Sequence, residues 1–136
     1  MTYEEMKTIK EASTPDAIRA KRNRIDYGIS LLSKKWFWHI LATIGIEPRG
    51  FNDLLKEYNI SPRALSETLS ILEKNEMISR VVYSTKPIKV NYSITDTGMR
   101  FILEVGESIN QFVEHYIPKE VYESWDGYDY KTTKKQ

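Results

Sequence analysis

The chain has no cysteine. That excludes disulfides, thiolate zinc sites and any cysteine-based redox switch within it. No apolar run approaches the ~18 residues a membrane-spanning helix needs, so no membrane partner is expected. The opening MTYEEMKTIKEAS holds no apolar stretch of the secretory kind, and the expected location is the cytoplasm. Histidine is scarce: His39 and His115 fall in different predicted helices. No carboxylate pair or glycine-rich phosphate loop accompanies them. An enzyme is not expected, nor a metal site, nor a cofactor. His39, inside the run WFWHIL, reads as a helix-face residue.

What is present suits one folded domain with an added helical arm: 136 residues, 40% of them hydrophobic and 29% charged. The net charge of +1 hides an uneven spread. Residues 17–63 carry nine Lys/Arg against four Asp/Glu, whereas residues 96–130 carry two against eight. A basic front with an acidic back is common in proteins that bind nucleic acid, because phosphate contacts need only local positive potential.

Local signals divide the chain into an arm (1–16), a central domain with its pairing helices (17–117) and a tail (118–136). Thr14-Pro15-Asp16 starts a helix: a capping hydroxyl, a proline where no N–H is needed, and an acid at the positive dipole end. Ile18, Ile25, Ile29 and Leu32 line one stripe of it. Ser33 reads as the cap of a second helix, KKWFWHILATIG, which is apolar nearly all round and so belongs in a core. Gly45 and Pro48-Arg49-Gly50 are expected to end it. A short helix over Phe51–Tyr58 and a brief break lead to Ser61-Pro62, another cap and first-turn proline. Leu65, Leu69 and Leu72 then recur at helical spacing. Two helices so closely joined form a helix-turn-helix.

After Met77 the period changes to two. Val90, Tyr92 and Ile94 alternate with polar residues in a half-buried strand, and Ile78 to Tyr83 is its partner. Ser84 to Ile88 makes the turn between them, where Pro87 blocks further pairing. Thr95-Asp96-Thr97-Gly98 caps a long final helix. Along it Ile102, Val105, Ile109, Phe112 and Tyr116 form a narrow seam suited to pairing with another helix. Pro118 ends it. The tail adds Tyr122, Trp125, Tyr128 and Tyr130, then lysines. The predicted class is mainly α with a small β-hairpin (α+β): a winged helix-turn-helix with dimerisation helices at both ends.

The segments KKW (34–36), PRGFNDL (48–54), SPRALSETLSILEKNEMISR (61–80) and VNYSITDTG (90–98) resemble the HxlR-type transcription regulators, winged helix-turn-helix proteins related to the MarR type. The similarity spans roughly residues 23–115. It implies a homodimer on pseudo-palindromic promoter DNA, with the helix Ser61–Asn75 in the major groove and the wing (78–95) on the backbone. Ser61, Pro62, Arg63 and Ser66 at the helix start are the expected groove contacts, with Thr68 and Ser70 as secondary ones. That helix is not itself basic, but charge can come from Lys34, Lys35, Arg49, Lys56, Arg80, Lys86 and Lys89, with Asn52 beside them. The expected dimer contacts are Ile18, Ile25, Ile29, Ile102, Val105, Ile109, Phe112 and Tyr116. A small-molecule effector would sit between these helices and the winged domain, and no residue identifies one.

Three features depart from the family pattern. The redox-active cysteine common among members corresponds to Asn23. The usual Gly-Gly before KW is Ser33-Lys34. The glycine often found between recognition helix and wing is Glu76. The rival reading, from the fold alone, is a winged helix used for protein contacts.

Overall fold

The structure, a computed structural model, describes residues 1–12 and 14–127. They form two compact units, one comprising residues 1–35 and the other beginning at Trp36.

The first unit is a pair of helices, α1 (Tyr3–Ala12) and α2 (Pro15–Leu32). A reciprocal cap starts α1: the Thr2 N–H donates to Glu5 Oε2 at 3.2 Å, and the Glu5 N–H to Thr2 Oγ1 at 3.1 Å. Thr14 caps α2 as expected, its Oγ1 accepting from the Ala17 N–H at 3.1 Å. Ser33 does not cap the next helix. Its N–H bonds back to the Ile29 carbonyl and its hydroxyl donates to the Ser30 carbonyl, so it closes α2 instead. The next helix starts only at Phe37, after a turn through Lys34 and Lys35.

The second unit is built around α3 (Phe37–Ile46), whose Phe37, Ile40, Leu41 and Ile44 are fully buried. Gly45 does not end this helix. It lies where an added Cβ would come within 3.1 Å of Ile102 and 3.2 Å of Ile94, so its absent side chain lets those two residues approach. Strand β1 (Arg49–Gly50), α4 (Phe51–Glu57) and α5 (Pro62–Lys74) follow. Then come β2 (Ile78–Tyr83) and β3 (Lys89–Ile94), the expected hairpin, in register from Ile78 opposite Ile94 to Tyr83 opposite Lys89. The antiparallel sheet has three strands in the order β1-β3-β2, because Arg49 and Gly50 pair with Tyr92 and Asn91. Two residues carry no periodicity, so this third strand is invisible in the sequence.

The final helical run comprises α6 (Asp96–Arg100), a π-helical stretch (Phe101–Gly106) and α7 (Glu107–Tyr116), with a last turn, α8 (Lys119–Tyr122). The π stretch coincides with an aromatic cluster. Phe101 meets Phe37 edge-on at 5.7 Å and Trp38 at 6.2 Å, and Trp38 lies over Gly106 where any Cβ would collide. A wider turn shifts the phase of everything after it. The expected seam is therefore split: Ile102 packs toward α3 of its own chain, whereas Ile109, Phe112 and Tyr116 remain exposed.

Candidate nucleic-acid interface

The helix-turn-helix is α4 and α5. The Gly50 N–H donates to Asp53 Oδ2 at 3.1 Å, which steadies the first turn of α4. Ser61 Oγ accepts from the Ala64 N–H at 3.0 Å and starts α5 with Pro62 behind it. Leu65, Leu69 and Leu72 are buried, and this fixes which way α5 faces. Ser61, Pro62, Arg63 and Ser66 consequently stand together on the exposed first turns. Thr68 does not join them. It lies on the leucine face, buried, and its hydroxyl donates to the Ala64 carbonyl at 2.8 Å. Arg63 projects outward and pairs with Glu67, one turn along, at 3.1 Å. A pair this exposed is worth at most about 1 kcal/mol, so the guanidinium is easily released.

A Schellman turn closes α5. The Met77 N–H reaches the Leu72 carbonyl and the Glu76 N–H the Glu73 carbonyl, both at 2.9 Å. The motif demands a left-handed residue, and Glu76 supplies it at φ 58°. The turn therefore has the shape a glycine would give it.

The wing tip comes down beside the start of α4. Asn52, Lys86 and Lys89 line one open cleft of about 570 Å³. Both lysines are exposed and neither has an ion pair among the described residues. Asn91, not singled out in the sequence, lines the same cleft from the sheet side, with its Oδ1 buried. Its position follows from the pairing of β1 with β3, which has no local signal.

One expected DNA contact is engaged elsewhere. Arg49 is ion-paired with Glu57 and lies 3.5 Å from Glu47, with its side chain only 19% exposed. Burial opposes its charge, but the Glu57 bond and the neighbouring carboxylates outweigh that and raise its pKa. Arg49 is thus a strut between β1 and α4. Arg80 pairs with Glu73 at 3.3 Å and lies 6.0 Å from the centre of the Tyr92 ring. That places it at the far end of α5 from Arg63. Lys34 and Lys35 are exposed, at the end of the first unit.

His39 is a packing residue, edge-on to Tyr58 at 4.9 Å. Thr43 gives its one proton to the His39 carbonyl, so Tyr58 donates to the Thr43 hydroxyl at 3.0 Å. Among the described residues no group of His, Asp and Glu could hold a metal ion, and no helix is long and apolar enough to cross a membrane. Tyr128, Tyr130 and the basic end of the tail lie outside the described residues.

The HxlR-like helix-turn-helix family pattern matches residues 31–121. The chain is 33% identical over 76 residues to the HTH-type transcriptional regulator YodB of Bacillus subtilis, covering 55% of this chain and 68% of that one. It is 31% identical over 85 residues to the uncharacterized HTH-type transcriptional regulator YvaP of the same organism, covering 62% and 79%. The solved structure of the reduced form of YodB superposes with a TM-score of 0.60 at 27% identity, over 69% of this chain and 92% of that one.

Proposed function

This chain belongs to the HxlR-like helix-turn-helix family, and from that premise we propose that it recognises specific promoter sequences as a homodimer. Its relatives are transcriptional regulators and not enzymes. Binding DNA in the service of transcription is the family's role.

The first turns of α5 enter the major groove, and the wing lies along the phosphate backbone. The observation that carries this is the division of α5: the leucine face is buried, while Ser61, Arg63 and Ser66 share the exposed N-terminal end. Backbone N–H groups at a helix start favour phosphate, and a protruding arginine fits guanine O6 and N7. Lys86 and Lys89 supply phosphate contacts without reading sequence. Asn52 contacts the backbone from the start of α4, and Lys34 and Lys35 add charge. Arg49 serves the fold, whereas Arg80 stays exposed and adds charge beside the wing.

Dimerisation follows from apolar surface that one copy leaves open. Ile25 and Ile29 on α2, and Ile109, Phe112 and Tyr116 on α7, are all about half exposed or more. Two copies place two recognition helices on one face of the duplex, about 34 Å apart, as a pseudo-palindromic site requires. The site of action is the cytoplasm, where promoter DNA is accessible.

Genome-wide footprinting of the tagged chain tests the reading. Enrichment of short sites with two-fold symmetry is expected. A folded dimer that enriches no DNA would move the protein to the protein-contact role.

A further inference from the structure

The first unit holds an apolar groove of about 890 Å³ between α1 and α2. Met6, Ile18 and Ile25 are among its apolar lining, and Lys7, Lys10, Lys21 and Arg22 line it too. Among the described residues no acid lines it, and none of the four cations has an ion pair. α1 lies wholly outside the family match. Nothing in the DNA-reading surface uses this groove.

The chain carries a segment of the opposite character. Residues 119–127 hold three acids, Glu120, Glu123 and Asp126, against one lysine. Between the acids stand Val121 and Trp125, which are 64% and 65% exposed. An apolar lining interspersed with cations is complementary to a short acidic segment presenting a large aromatic. Such complementarity fixes register as well as adding contact.

We propose that segment 119–127 of one copy docks in the groove between α1 and α2 of a second copy. The contact is reciprocal in a two-fold dimer, so each copy gives one segment and receives one. The proposal rests on the homodimer reading and adds a clasp from parts of the chain largely beyond the family match. It gives the N-terminal arm a role, because α1 forms one wall of the groove.

Charge reversal in the full-length chain tests it. One variant carries Lys7→Glu, Lys10→Glu and Lys21→Glu; a second carries Glu120→Lys, Glu123→Lys and Asp126→Lys. Each should weaken the dimer about tenfold by sedimentation equilibrium, and the combined variant should return most of the loss. The absence of cysteine permits a second readout. Under copper–phenanthroline oxidation, Met6→Cys in one copy and Ser124→Cys in a differently tagged copy should form a mixed disulfide dimer only when mixed. Dimers of unchanged affinity in both reversals, with no mixed disulfide, would overturn the clasp and leave the dimer intact. A disulfide forming only within a chain bearing both cysteines would also overturn it. So would binding to phosphatidylserine vesicles that the lysine reversal abolishes while dimer affinity is unchanged, since the groove would then serve lipid. A chain monomeric in every form would overturn the homodimer reading as well.

Discussion

The Thr95 hydroxyl donates to the backbone carbonyl of Glu76 at 2.6 Å, and accepts from the Gly98 N–H at 3.1 Å. One side chain thereby caps the final helical run and ties it to the turn between α5 and the wing. The Thr95 N–H adds a bond to the Met77 carbonyl at 3.0 Å. The angle at which the wing leaves α5 is set by this junction. So the placement of the wing relative to the start of α5 depends on Thr95 and Glu76.

Glu76 adopts φ 58°, where a side chain costs about 1–2 kcal/mol relative to glycine. Glu76→Gly should raise stability by about 1 kcal/mol after glycine's extra chain entropy in the unfolded state is counted. Glu76→Ala should give no such gain. Urea denaturation midpoints distinguish the two, and equal midpoints would mean that the turn holds no strain.

Gly98 permits the close approach of α6. An added Cβ would lie 2.2 Å from the Met77 carbonyl oxygen, a backbone atom that cannot swing aside. Gly98→Ala should cost about 3 kcal/mol, the upper range for overpacking. Gly106→Ala meets only the Trp38 ring, and Trp38→Leu should rescue it. Thermal melts of the singles and the double variant check both statements.

Arg49 and Arg63 should separate cleanly. Arg49→Ala removes a largely buried partner of Glu57 and should cost about 1–3 kcal/mol of stability, between exposed and buried pairs. Arg63→Ala should leave stability unchanged, yet cost roughly 1–3 kcal/mol on the operator and less on random DNA. Melting curves alongside gel shifts decide it. Equal loss on both DNAs would make Arg63 a phosphate contact only.

Lys86→Ala and Lys89→Ala should weaken specific and random binding alike. Each should flatten the dependence of log affinity on log salt by roughly one unit. A double variant with the wild-type slope would show that the wing does not reach the backbone.

Ile109→Glu should give a folded monomer. Ile109 is 48% exposed in the single chain, so the charge is harmless there but costs several kcal/mol once buried by a second copy. Light scattering reports the mass directly. A dimer of undiminished affinity would remove α7 from the interface.

Much of the fold was legible because its signals are local. Thr14, Ser61 and Thr95 each accept a bond from an N–H three residues on, and that geometry needs only neighbouring chain. The leucine spacing of α5 and the alternation of β3 likewise declare a buried face before any partner is known. Ser33 misled because a serine before an apolar run can equally close the helix behind it, and the two-lysine turn that decides the matter has no periodicity.

The sequence by itself determined the order of the main helices and the hairpin, the winged helix-turn-helix and the exposed end of α5, since capping and periodicity act within a few residues. It also excluded thiol chemistry, because a missing cysteine cannot be supplied by folding. Only the tertiary structure decided the rest. β1 exists because β3 offers it a partner. Gly45, Gly98 and Gly106 matter because other parts of the chain press against them. Arg49 became a strut because folding brought Glu57 within reach, and the seam of the last helix split where Phe101 met the aromatics of α3. In each case the deciding atom is distant in sequence, and no local pattern records it.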